Sequence, residues 1–243
     1  MLTMRDHGVE DYATLRDMDA TDVGVLGEDD RACLEELGQY LVDTDASQRF
    51  AIWLLHKHFE PAAGEVFVER AIVAPRRTET TLVERSAFAT QGLSATAMRF
   101  DPSVSSGVGV VGMEFAAPDE FGATSPLSAD DEAVLAGIAE RLQAHGKIER
   151  FGVRLIRNPL GLSAQELLVE TCDSAERTLY CDVGERGADL PHRTIETTWR
   201  WTVIQGDGKR TVMQECQAQC VAAVAEGHDI RHSNFLDDDF GND

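Results

Sequence analysis

Two histidines two residues apart, His56 and His58, end the apolar stretch Arg49-Phe-Ala-Ile-Trp-Leu-Leu-His-Lys-His-Phe59. On an extended chain alternate side chains share a face. Two neutral imidazoles presented together suit a divalent transition metal (zinc, iron, copper or nickel), all of which accept imidazole nitrogen. Two ligands do not complete a site. His228 and His232, near the C-terminus, are candidate further ligands, provided the fold returns that segment to the histidine pair. Glu65 and Glu69, on the extended stretch that follows a turn at Glu60-Pro-Ala-Ala-Gly64, are the candidate base or second acceptor. With an open coordination position, such a set would support metal-dependent hydrolysis or oxidation. The competing reading places both histidines at the solvent end of a strand, in a structural role.

Other chemistry-bearing residues are less specific. Cys216-x3-Cys220-x7-His228-x3-His232 has zinc-ligand types, but its central spacing is shorter than that of a zinc finger. Met213, Cys216, Cys220 and Val224 fall on one helical stripe, which favours buried thiols on a closing helix. Gly107-Val-Gly-Val-Val-Gly112 has dinucleotide-binding glycine spacing, but Met113-Glu-Phe-Ala-Ala-Pro118 reads as a strand, where that chemistry needs a helix to open. Trp199 and Trp201 share a strand face and read as core. There is no P-loop, nucleophile elbow, H-E-x-x-H motif or EF-hand loop.

The elements that must position these groups follow from periodicity. Cys33, Leu34, Leu37, Tyr40 and Leu41 recur at helical spacing from Asp29 through Asp43. Phe50 to Leu55 is apolar on both faces, so it reads as a strand covered on both sides. The expected return strand of a hairpin is Glu65–Val73, with further extended segments over 78–85 and 95–101. Residues 102–128, punctuated by glycine and proline, read as the internal boundary. From Asp130 the pattern restarts at an offset of 101 residues, pairing Asp30 with Asp131, Arg49 with Arg150, Glu65 with Glu166 and Glu69 with Glu170. The expectation is therefore an α+β fold of two pseudo-symmetric repeats, each an amphipathic helix followed by antiparallel strands. Its parts are an acidic N-terminal arm (1–28), a first repeat (29–128), a second repeat with a closing helix at about 210–226 (129–232) and an acidic disordered tail (233–243). Under that offset the histidines are particular to one half, because His56 and His58 correspond to Arg157 and Pro159.

The net charge of −21 excludes non-specific attraction to nucleic acid or anionic lipid and favours metal cations, a basic protein partner or a small-molecule ligand. An alternative function is therefore a non-catalytic acidic interaction protein with structural histidines. Five scattered cysteines, no apolar run long enough to cross a bilayer and no signal-peptide pattern at Met1 lead to the expectation of a cytoplasmic protein.

Overall fold

The computed structural model describes residues 1–16, 26–88, 92–122, 124–188, 194–206 and 209–221. Strand β1 (Leu2–Asp6) and the short helix α1 (Val9–Ala13) precede helix α2 (Glu28–Asp43), then β2 (Phe50–Leu54), β3 (Glu65–Ile72), β4 (Arg77–Glu84), β5 (Ser94–Phe100) and β6 (Val108–Ala116). Helix α3 (Glu132–Ala144) leads into β7 (Phe151–Leu155), β8 (Glu166–Asp173), β9 (Thr178–Glu185), β10 (Thr194–Gly206) and β11 (Lys209–Val221). Among the described residues no helix is long and apolar enough to cross a membrane.

Ten of the strands close on themselves in the order β6-β3-β4-β9-β8-β11-β10-β2-β7-β5, with β5 pairing back onto β6 and β1 added in parallel beside β6. This overturns the expected α+β arrangement of two helix-and-strand repeats. The element boundaries of β2, β3 and β4 do recur 101 residues later in β7, β8 and β9. The strands nevertheless build no two separate units, because β2 pairs with β7 and β4 pairs with β9. The hairpin expected between Phe50–Phe59 and Glu65–Val73 is also absent: β2 lies between β10 and β7, while β3 pairs with β4 and β6.

Strand alternation separates an outer from an inner face. Phe50, Ile52 and Leu54 pack with Leu34, Leu37 and Leu41 of α2 and with Leu135, Ile138 and Leu142 of α3. The intervening Trp53, with Leu55, joins Phe67, Ala97, Val111 and Met113 in a second cluster inside the barrel, which Tyr12 and Leu15 fill from the N-terminal segment. Residues 1–16 are thus integrated with the barrel through β1 and this plug. Reciprocal ion pairs, Arg49 with Asp131 (2.7 Å) and Arg150 with Asp30 (3.0 Å), tie the start of β2 to the entry of α3 and the start of β7 to the entry of α2.

The closing helix is replaced by β11, which pairs with β10 along its length. Trp199 and Trp201 are buried in the outer core against the helices, and Trp201 occupies the space beside Gly38 of α2. Gly107–Gly112 lies at the start of and within β6, so these glycines serve close strand packing: a Cβ on Gly109 would meet Val104 and the Asp101 carbonyl. Register shifts interrupt the β5–β6 and β10–β11 ladders, around Ala97 and Thr198 respectively. Such bulges re-aim side chains, and here they leave Glu114 and Thr197 buried.

Candidate metal centre

β2 stops at Leu54, and the Leu55 amide makes one more bond, to the Arg150 carbonyl. The chain then turns: the Lys57 amide donates to the Arg16 carbonyl, and the Tyr12 hydroxyl bonds the His58 backbone. The histidines therefore sit on a short irregular connection pinned by the N-terminal plug, and not on the strand itself. Their rings meet edge to face with centroids 4.6 Å apart. Both are buried, His56 to 1% and His58 to 8% exposure.

Two residues from distant parts of the chain complete the cluster. Glu170 lies in the middle of β8 and Cys220 near the end of β11, and the parallel β8–β11 register places them side by side. The ligand atoms of His56, His58, Glu170 and Cys220 all lie within 4.8 Å of one another. His56 Nε2 is 3.1 Å from His58 Nε2 and 3.5 Å from Cys220 Sγ. For ligand bonds of about 2.05 Å to nitrogen and about 2.3 Å to sulfur, tetrahedral edges are about 3.4 Å for N···N and about 3.6 Å for N···S. Both observed separations are close to those edges. His56 Nδ1 lies 2.7 Å from the Leu54 carbonyl, which only an N–H can satisfy. That fixes the tautomer and leaves Nε2 with its lone pair toward the cluster.

The surroundings set the charges. Burial lowers the His56 pKa and keeps the ring neutral. Burial, reinforced by the neighbouring Glu170 carboxylate, holds the Cys220 thiol well above its ordinary range, and the thiol donates to Glu170 Oε2 at 2.6 Å. Burial also pushes Glu170 upward, but the Arg154 guanidinium and the Cys220 and Thr197 donors outweigh it and hold the carboxylate below its usual value. These four side chains form a buried group with the donor types and spacing to hold a metal ion.

Beyond Glu170 the lumen carries a charged network. Arg154 faces Glu114, Glu170 at 3.3 Å and Glu69 at 3.8 Å, and Arg157 pairs with Glu69. At the 101-residue offset, His56 corresponds to Arg157 and Glu170 to Glu69. One buried glutamate thus meets a guanidinium where the other meets the histidine–cysteine cluster.

The remaining candidates fall elsewhere. Glu65 accepts from Arg177 (2.7 Å) and the Ala62 amide, and the Arg177 hydrogen bond, then that amide, hold its carboxyl below the usual range. Its counterpart Glu166 is held in the same way by Arg76 and the Ser163 amide. Glu69 is engaged by Arg157 and Arg154. Cys216 donates to the Ala218 carbonyl and is not in the cluster. His228 and His232 lie outside the described residues, as does the tail from residue 222 onward. No protein-family model matches the chain, and no curated protein or solved structure is significantly similar to it.

Proposed function

We propose that the protein is a metal-binding β-barrel that holds one divalent transition metal, with zinc as the best fit, through His56 Nε2, His58 Nε2, a Glu170 carboxylate oxygen and Cys220 Sγ. The observation that carries this reading is the convergence of the four ligand atoms around a preset His56 lone pair. Zinc takes nitrogen, sulfur and carboxylate oxygen in a tetrahedron, whereas copper(II) and nickel(II) favour square arrangements and magnesium or calcium favour oxygen alone. Four protein ligands fill the tetrahedron, and each is nearly inaccessible to solvent. The ion would therefore be structural, with no open position for substrate, and would cross-link the β2–β3 connection, β8 and β11. Hydrolysis or oxidation at this ion would require one ligand to leave.

A second reading has its own support. The Cys220–Glu170 contact of 2.6 Å is about 1 Å shorter than a tetrahedral edge, and it suits a protonated thiol in a metal-free hydrogen-bonded cluster. Cobalt(II) titration of chelator-treated protein separates the two. A four-coordinate cobalt spectrum with a thiolate charge-transfer band, in which Cys220→Ala removes that band, supports the metal centre. Absence of any cobalt signal in the folded protein supports the hydrogen-bonded cluster.

A further inference from the structure

An irregularity of the sheet brings one further side chain to the four clustered ligands. Trp199 of β10 faces the helices, and Thr198 lines the lumen beside Arg154 and Leu168. Strict alternation would then point Thr197 outward. The β10–β11 register instead passes from Glu196↔Gln219 to Thr198↔Ala218, so Thr197 faces no residue of its own on β11. A bond of 2.8 Å from Trp199 Nε1 to the Glu196 carboxylate spans this slip. Thr197 therefore turns inward and is fully buried, with its hydroxyl 3.0 Å from Glu170 Oε2 and 3.3 Å from the Ala218 carbonyl. One hydroxyl has one proton to donate, and the nearer, charged acceptor takes it.

The two oxygens of Glu170 consequently have different surroundings. Oε2 accepts from Thr197 and from the Cys220 thiol at 2.6 Å. Oε1 accepts from Arg154 Nη1 at 3.3 Å, while Nη2 of the same guanidinium is held by Glu114 and Glu69. Cys220 Sγ is also 3.5 Å from His56 Nε2, so Oε2 is the oxygen on the side of the other ligand atoms. The terminal torsion of a glutamate is soft. A carboxylate fixed at one oxygen alone could turn and offer both.

Building on the metal-centre reading above, we infer that Thr197 is a positioning residue for the carboxylate ligand. Together with Arg154 it locks the Glu170 carboxylate so that Oε2 alone meets the ion. One-oxygen binding keeps the coordination at four: two nitrogens, one sulfur and one oxygen. Without the Thr197 hydroxyl the carboxylate can rotate, and the site loses both affinity and its four-coordinate geometry.

The test is zinc titration in competition with a chromophoric chelator, together with cobalt(II) spectra, on the full chain as wild type, Thr197→Val, Thr197→Ser and Thr198→Val. Valine keeps the shape of threonine without its hydroxyl, and serine keeps the hydroxyl. Thr198→Val is the control, because it deletes a neighbouring hydroxyl, 2% exposed, that has no hydrogen-bond partner of normal geometry among the described residues. Thr197→Val is expected to bind zinc at least about tenfold more weakly and to lose intensity in the four-coordinate cobalt absorption. Thr197→Ser and Thr198→Val should stay close to the wild type. Infrared difference spectra of wild type with and without zinc need no variant to fold, and should show the wide carboxylate splitting of one-oxygen binding. Undiminished affinity in Thr197→Val, an equal loss in Thr198→Val, no recovery in Thr197→Ser, or a two-oxygen carboxylate signature would each overturn the inference and leave the metal centre standing. A wild type that binds neither zinc nor cobalt would overturn both.

Discussion

Replacing Arg154 with methionine tests whether the lumen is held together by its charge network. The guanidinium faces three carboxylates. After its removal Glu69 keeps Arg157, and Glu170 keeps the Thr197 and Cys220 donors, but Glu114 has no other ion-pair partner among the described residues. Removing one partner of a buried pair costs about 3–5 kcal/mol because a charge is left uncompensated. For a chain of this size that lowers the melting temperature by about 10 °C. The loss depends on pH with a definite sign. Burial pushes Glu114 up to about 7, above its ordinary value, so its stabilising contribution is full at low pH and declines as pH rises through about 7. Without Arg154 the carboxyl is raised further. The variant's deficit should therefore be smallest near about pH 6 and largest near about pH 8. Glu114→Gln in the Arg154→Met background should recover much of the loss at the higher pH. Urea denaturation of the wild type, Arg154→Met and Arg154→Met/Glu114→Gln at both pH values measures this. A deficit under about 1 kcal/mol at the higher pH, or one indifferent to pH and to Glu114→Gln, would refute the reasoning.

Alanine in place of a helical glycine usually adds about 1 kcal/mol of stability, but a Cβ on Gly38 would overlap the buried Trp201 indole. Gly38→Ala should therefore destabilise by about 1–3 kcal/mol, whereas Gly137→Ala meets the less buried Tyr40 ring, which can move, and should be near neutral in the same urea assay. Metal binding should displace the Cys220 proton, since burial and Glu170 keep the thiol protonated in the free protein. Zinc affinity should then rise about tenfold per pH unit, with about one proton released per ion. Calorimetry in buffers of different ionisation enthalpy reads that proton, and Cys220→Ala should abolish it.

The sequence carried the histidine pair because two imidazoles at i and i+2 stand out and because the offset partner, Arg157, differs in kind. It did not bring Glu170 to the site, and it offered Cys220 as a ligand only in a cluster with Cys216, His228 and His232, since nothing local announces that β8 and β11 will pair in parallel. Cys216 and Cys220 are four residues apart, a spacing that fits both a helical turn and two strand repeats. Gln, Glu, Ala and Met around them favour helix, yet pairing with β10 and β8 prevails, as context overrides propensity in sheets. In β11 Ala218 and Cys220 are buried while Gln217 and Gln219 beside them are only partly so and Met213 is 40% exposed, and the alternation of Cys216, Ala218 and Cys220 with glutamines was the available signal. The fold class failed for a related reason. Helix and strand periodicities placed α2, β2, β3 and β4 within a few residues of their observed limits. Which strands become neighbours depends on long-range closure that periodicity does not encode. Glu65 and Glu69 were drawn to the site by sequence proximity, whereas their carboxylates are committed to Arg177 and Arg157.

X-ray absorption at the zinc edge, on protein stripped with chelator and reloaded with one equivalent of zinc, tests the proposed ligand set directly. The account predicts one sulfur scatterer at about 2.3 Å and three nitrogen or oxygen scatterers at about 2.0–2.1 Å, with the sulfur shell lost in Cys220→Ala. A six-coordinate shell of light atoms, a spectrum without sulfur, or protein that retains no zinc would contradict it.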